Sequence, residues 1–316
     1  MKLSRRGFLK SVGMASAALS AGNISAIPAE AQVRRAADRE ERVSAYPEEH
    51  FRPRRKPIQW PNDARIAVCW IVNYEGFTDA ADSYEVAYHD YSCKAGFWRM
   101  IDLFDENGVK ACWYTNGIIA TRFPETLREA AQRGHEIDGH NWANNVSMIT
   151  ISADAEREVI RRVFDDIEKA CGVRPTGWMG SGENESLQTA EFLADEGILW
   201  NGDFPTDDVP YTVTVRGRKI VIIPYSRESN DTGNYGGHRH HPRVWLEKFK
   251  DQFDVLYAEG EKYPQLVFGA THAWLLGHPV GTKVIREAIQ YTKGFPGVWQ
   301  TTENEIAKWW LKQNYD

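Results

Sequence analysis

Residues 65–72, RIAVCWIV, decide the fold. They form an unbroken apolar run rich in β-branched residues, the pattern of a strand buried on both faces. Such a strand belongs in a parallel sheet with helices packed against it. The chain that follows keeps to that plan. KAGFWRMIDLFDENG (94–108) has apolar residues at helical spacing and stops at Asn-Gly, and VKACWYTNG (109–117) reads as a second strand. FPETLREAAQRG (123–134) is a helix with a glycine stop, and HEIDGH (135–140) is a third, short strand.

The alternation runs to the end. SADAEREVIRRVFDDIEKACG (152–172) is a long amphipathic helix, followed by a strand or loop at GWMGSG (177–182) and a helix at SLQTAEFLADEG (186–197). ILWNGDF, KIVIIPYS and QLVFGATHAW read as strands, VWLEKFKDQFDVLYAEG and TKVIREAIQYTKG as helices. VWQTT and the helix NEIAKWWLKQ close the chain. Strand–helix alternation with about seven strands predicts a parallel α/β architecture, a (β/α) barrel at least as readily as an open sheet.

In such folds the functional groups gather at the C-terminal ends of the strands. There the sequence places Asn73, Tyr74 and Glu75, then Asp138, His140 and Asn144, then Arg174 and Trp178. Asp203 and Asp207, Asn230 and Asp231, and His272 follow. Polar groups after nearly every strand are the pattern of an active site. The densest stretch is GHEIDGHNWANN (134–145), with two histidines, two acids and several amides.

Taken in order, VNYEG, GHEIDGH, RPTGW and THAWLLGHP resemble the motifs of the polysaccharide deacetylase superfamily. The resemblance implies a distorted seven-stranded (β/α) barrel and hydrolysis of N-acetyl groups by a divalent metal held by an Asp and two His. The family's second motif, H-[ST]-x-x-H, puts its first histidine at His140 and its second at Asn144. Ligands four residues apart share one helical face and reach one ion, but a neutral amide is a poor zinc ligand. Where typical members have two aspartates, this chain has Tyr74 and Glu75, and a phenol is no base near neutral pH. VNYEG, GFWRMIDLF, RPTGW, DDVPY, IPYSRESND, FDVLYAEG and H-x-x-L-x-G-x-P look like the allantoinase and cyclic-imide hydrolase branch. The likeness covers roughly residues 61 to 312.

Individual roles follow from position and resemblance together. Glu75, just past a buried strand, orients or deprotonates the attacking water, or ligates a metal. His140 is either the counterpart of the family ligand or a histidine bonded to Asp138, which would fix its tautomer. His272 matches the family histidine that protonates the leaving nitrogen, a task suited to imidazole. Arg174 corresponds to an arginine that orients catalytic carboxylates in the family; the local alternative is a helix C-terminal cap. Tyr74, Asn144, Trp178, Asn230, Asp231 and Trp274 are the candidates for substrate contact, although Asn230 and Asp231 also read as a turn. Any metal would fall to Glu75, His140 and Asn144. The expected cofactor is therefore none, or a weakly held divalent ion such as zinc. His135 precedes its strand and reads as structural. His238 to His241 follow a Gly-Gly and read as a solvated loop.

Composition bounds the rest. The 316 residues, 42% hydrophobic and 12% aromatic, suffice for a substantial core. A net charge of −6 offers no basic stripe for nucleic acid, and a small amide, imide or amino-sugar substrate fits better. Twelve Trp suit core packing or ring-binding platforms. Cys69, Cys93, Cys112 and Cys171 lie far apart and read as free thiols. At the N-terminus Ser4, Arg5, Arg6, Phe8, Leu9 and Lys10 form a twin-arginine signal, followed by a weakly apolar stretch and Ala29-Glu30-Ala31. Residues 1–31 are thus expected to be removed after passage through the twin-arginine export machinery, leaving a periplasmic or secreted chain. A Pro-rich charged arm (32–60) would precede the barrel (61–316). No later apolar run approaches the ~20 residues of a membrane span. A homo-oligomer is compatible with this composition. Three functions compete: hydrolysis of a non-peptide C–N bond in an amide, ureide or cyclic imide, N-deacetylation of an amino-sugar polymer, and carbohydrate binding without catalysis.

Overall fold

The computed structural model describes residues 58–186, 188–233 and 240–315. The signal, the arm up to residue 57, and His238 and Arg239 lie outside the described residues. RIAVCWIV becomes the centre of β1 (Ile66–Tyr74), buried at every position. The further strands are β2 (Ala111–Thr115), β3 (Glu136–Gly139), β4 (Gly177–Trp178), β5 (Trp200–Asn201), β6 (Tyr211–Val215), β7 (Arg218–Ile222), β8 (Gln265–His272) and β9 (Val298–Thr301). Their order is β6-β7-β5-β4-β3-β2-β1-β8, with β9 also on β1. Seven of them, β7 to β8, run parallel. The sheet curls into the distorted seven-stranded (β/α) barrel. Asn230, beyond β7, bridges to Ala270 of β8 across the seam.

Alternation sorts the strands into two sets. Ala67, Cys69 and Ile71 of β1 meet Cys112, Tyr114, Trp200, Val221, Leu266, Phe268 and Ala270 inside the barrel. Residues of opposite parity face the helices: Trp70 lies against Phe249, and Tyr74 against Phe97. Around the sheet stand α1 (Ser83–Tyr91), α2 (Phe97–Glu106), α3 (Gly117–Arg122), α4 (Pro124–Gln132), α5 (Ala153–Cys171), α6 (Thr189–Glu196), α7 (Arg243–Glu259), α8 (Pro279–Lys293) and α9 (Glu303–Gln313). The helix α5 starts where Ser152 accepts the Ala155 amide and stops at Gly172 with φ 78°, a left-handed position that suits glycine. The barrel floor is built from Ile306, Ala307 and Trp310 of α9 with Trp60, whose indole donates to the Gln265 carbonyl at 2.9 Å. The end of the stretch read as an arm thus belongs to the core.

Three elements escaped the periodicity reading, one of them the short helix α3. The helix α1 has a weakly apolar sequence, and the visible signal is its cap, Asp82 accepting from Tyr84 and Glu85. The strand β6 alternates as YTVTV and forms a hairpin with β7. The four cysteines are free, as read, and three are buried.

Three of the twelve tryptophans serve register. Trp70 is paired with Gly269, Trp178 with Gly139, and Trp200 with Gly177. A Cβ on those glycines would lie 2.4, 2.6 and 2.0 Å from the facing ring. Each indole therefore needs a glycine on the next strand. Gly177→Ala is expected to cost about 1–3 kcal/mol by overpacking, seen as a lower urea midpoint at unchanged m-value.

Candidate active site

The ladder register converts sequence positions into one rim. Tyr74 pairs with Thr115, Thr115 with Gly139, and Gly139 with Trp178, so Glu75, Asn116, His140 and Met179 emerge at the same level. On the other flank Asn73 pairs with His272. Five of the residues read as candidates meet here. Glu75 is 4% exposed. Its Oε1 lies 3.3 Å from His140 Nε2, and its Oε2 accepts the Trp274 indole N–H at 2.8 Å. His272 Nε2 stands 3.7 Å from the same Oε2. Behind His272 sits Asp231, fully buried, whose Oδ1 is 2.6 Å from Nδ1 and whose Oδ2 accepts the His272 amide at 2.8 Å.

The tautomer of His140 follows from its partners. Its Nδ1 contacts the Met179 carbonyl, which only accepts, so Nδ1 carries a proton. The role foreseen for Asp138 is thus filled by Met179. The other ring nitrogen, Nε2, faces Glu75 Oε1 at 3.3 Å, a spacing suited to one proton shared by the pair or to a donor held between them.

Charge balance keeps Glu75 ionised. Burial alone would push its carboxyl up, but the His272 charge, His140 and the Trp274 N–H together bring it down to about 2. Burial likewise opposes a charge on His272, yet Glu75 and Asp231 on either side hold it above the ordinary 6.5. Asp231 itself is raised by burial, against the pull of His272. The row Asp231, His272, Glu75, His140 alternates acid and imidazole.

Several groups that sequence reasoning did not assign support this row. Asn116, read as part of the second strand segment, donates to the His140 carbonyl and to Ser181 Oγ, and accepts the Gly76 amide at 2.9 Å. His89 of α1 is buried against Phe77 and Trp274, with Nδ1 donating to the Glu85 carbonyl at 2.9 Å. Burial lowers its pKa. The only hint of either residue in sequence was its polar type beside a strand or on a short helix.

Other candidates lie elsewhere. Tyr74 has parity opposite to the interior set, and its hydroxyl donates to Thr126 Oγ1 at 3.0 Å in the helix layer. Trp178 is stacked on Phe164 of α5 and is fully buried. Neither faces the rim, because outward parity of a short strand sends them into packing. Arg174 binds Asp165, Glu168 and Glu196 on the helical surface, the helix-end reading, so it orients no carboxylate of the site. Asn230 folds back as a turn, accepting from Thr232 and donating to Tyr225. His135 accepts the Ala111 amide at 3.1 Å, at the opposite end of β3. Asp203 accepts the Gly180 amide and holds that loop. His241 accepts the Arg243 amide at the start of α7.

The donor set does not make a three-ligand zinc site on this rim. Glu75 and His140 supply two strong ligand atoms, but Glu75 spends its second oxygen on Trp274. Asn144 offers only a neutral amide oxygen, buried and without a hydrogen-bond partner. Among the described residues no trio of His, Cys, Asp or Glu ligand atoms converges at this rim.

The fold agrees with the comparisons. The sequence model of the polysaccharide deacetylase family matches residues 82–195. The chain is similar to a Schizosaccharomyces pombe protein provisionally named a polysaccharide deacetylase, at 24% identity over 81% of this chain and 94% of the relative. It is also 24% identical to the peptidoglycan deacetylase of Helicobacter pylori, over 78% and 92% of the two chains. The crystal structure of PuuE allantoinase superposes with a TM-score of 0.76 at 26% identity, covering 83% of this chain and 98% of that one. The fold and the family likeness are therefore those of the polysaccharide deacetylases. Within that likeness the chain is of hydrolase type.

The charge pattern predicts a titration. Protonation of His272 stabilises the fold fully below 6.5 and loses that effect as pH rises through its elevated folded value. Ionised Glu75 contributes above 4.5, and the contribution is lost as pH falls toward about 2. In an NMR titration the His272 ring should change charge above 6.5, and Asp231→Asn should move that step downward. A His272 step unmoved by the substitution would refute the coupling.

Proposed function

We propose that the chain hydrolyses a non-peptide C–N bond of an amide, ureide or cyclic imide, and that it works in the periplasm or outside the cell after twin-arginine export. The observation that carries the reading is Glu75 held between His140 and His272, with Asp231 behind the latter. A water bound to Glu75 Oε1 and His140 Nε2 attacks the carbonyl carbon. The Glu75–His140 pair, in the state without a proton between them, takes the proton that the water releases. His272 gives its Nε2 proton to the nitrogen as the C–N bond breaks, while Asp231 holds Nδ1–H and keeps the ring oriented. The proton on the Glu75–His140 pair then returns to His272 through solvent. No step needs a metal at this rim.

A second reading, N-deacetylation of an amino-sugar polymer, draws on an aromatic row. Tyr84, 71% exposed, stacks on Tyr88, which meets the edge of Trp274, the residue that holds Glu75. Such a row suits successive sugar rings, and the export signal fits a cell-wall substrate. Carbohydrate binding without catalysis would leave the alternating acid–imidazole row without a purpose.

A substrate panel separates the three. Ring opening of allantoin or succinimide supports the first reading, acetate release from chitooligosaccharides alone replaces it with the second, and sugar binding without turnover leaves the third. Whichever substrate turns over, His272→Ala and Glu75→Gln should each lower kcat/KM by about 10²–10⁴ with the fold retained. Activity should survive dialysis against a chelator as long as the fold is retained; loss of turnover with the circular dichroism and melting temperature unchanged, restored by zinc, would overturn the metal-free chemistry.

A further inference from the structure

The barrel interior carries a second polar cluster that the proposed chemistry does not use. Glu136, Asp138 and His140 share the inward face of β3, two residues apart. Each step descends about 6.6 Å from the rim. Below His140, then, come Asp138 and Glu136, opposite Cys112 of β2 and Glu303 at the start of α9. One ligand atom each from Cys112, Glu136 and Glu303 lies within 4.8 Å of the others, and all three residues are buried.

The groups around them are neutral. Tyr114 donates its hydroxyl to Glu303 at 2.6–2.7 Å, the Asn304 amide donates to Glu136 at 3.0 Å, and the Glu303 amide contacts Cys112 Sγ at 3.4 Å. Asp138 is an independent pointer. It is fully buried, and neither of its oxygens has a hydrogen-bond partner. It stands one inward position above Glu136 on the same strand, and Glu136 is the residue that acts on it most, so the two carboxyl groups adjoin. Three carboxyl groups sealed in a barrel without a counter-charge are costly as anions.

The geometry points to a buried divalent-cation site formed by Cys112, Glu136 and Glu303, with Asp138 beside it, distinct from the catalytic rim. One thiolate among carboxylates suits zinc, whose tetrahedral bonds of about 2.0–2.3 Å hold ligand atoms about 3.3–3.8 Å apart. A small movement of the side chains seats it. The ion ties β2 and β3 to the floor helix α9, so its role is structural. On binding, Cys112 gives up its thiol proton to solvent and the sulfur lone pair forms the new bond.

Metal analysis of the full chain, purified without chelator, tests this. About one zinc per chain is expected, retained in His140→Ala and lost in Glu303→Gln. Added zinc should raise the melting temperature of metal-stripped wild type by about 5–10 °C at hundredfold excess over its dissociation constant. Should Glu303→Gln fail to fold, Cys112→Ala takes its place, and the wild-type zinc titration stands without either variant. Wild type that holds no ion and gains no stability from zinc overturns the site. So does an ion lost in His140→Ala and kept in Glu303→Gln.

Discussion

The parallel register of the curled sheet is the constraint on which the rest depends. A one-residue slip in any strand would turn its inward set outward. Here the slip is blocked sterically as well as by hydrogen bonds, because Trp70, Trp178 and Trp200 lie over glycines of the adjoining strands. With the register held, four consecutive strands end level, and Glu75, Asn116, His140 and Met179 meet without any long-range design of loops. The precision of the rim is inherited from packing within the sheet beneath it.

That rim is a low-dielectric site whose charges are stabilised by one another. Glu75 comes from β1, His140 from β3, and His272 and Trp274 from β8 and its following loop, while Asp231 lies on the crossing from β7. No single element could support any of these charges alone. Burial opposes ionisation of both Glu75 and His272, and in each case the neighbours outweigh it. Where the family resemblance implies a second histidine, Asn144 stands, and the rim presents a row of alternating acids and imidazoles.

The strand β3 shows how one short segment serves two depths. Its inward residues form a polar stripe through a barrel whose other interior positions are mostly apolar. The upper member faces the site and the lower ones face the floor. Polar atoms at the lower level bear on α9, whose first turn supplies Glu303 and Asn304 to the interior. The floor helix is therefore joined to the strand that carries His140.

The alternation of apolar runs and amphipathic stretches determined the fold class, because burial on both faces of a parallel strand leaves a continuous hydrophobic signature. Position at strand ends, with the resemblance, also singled out Glu75, His140, His272, Asp231 and Trp274. Local pattern did not distinguish them from Tyr74, Trp178 or Arg174, which occupy equally suggestive places. Side-chain parity sends the first two into the helix layer, and three acids on the helical surface claim the third. Asn116 and His89 were indistinguishable from strand-end and helix residues until distant neighbours defined them. The sequence by itself determined which segments are strands and helices, since that depends on each segment's own period. Which polar groups share a charge, and which merely pack, was decided only by the tertiary structure, because electrostatic partnership acts through space between strands far apart in the chain.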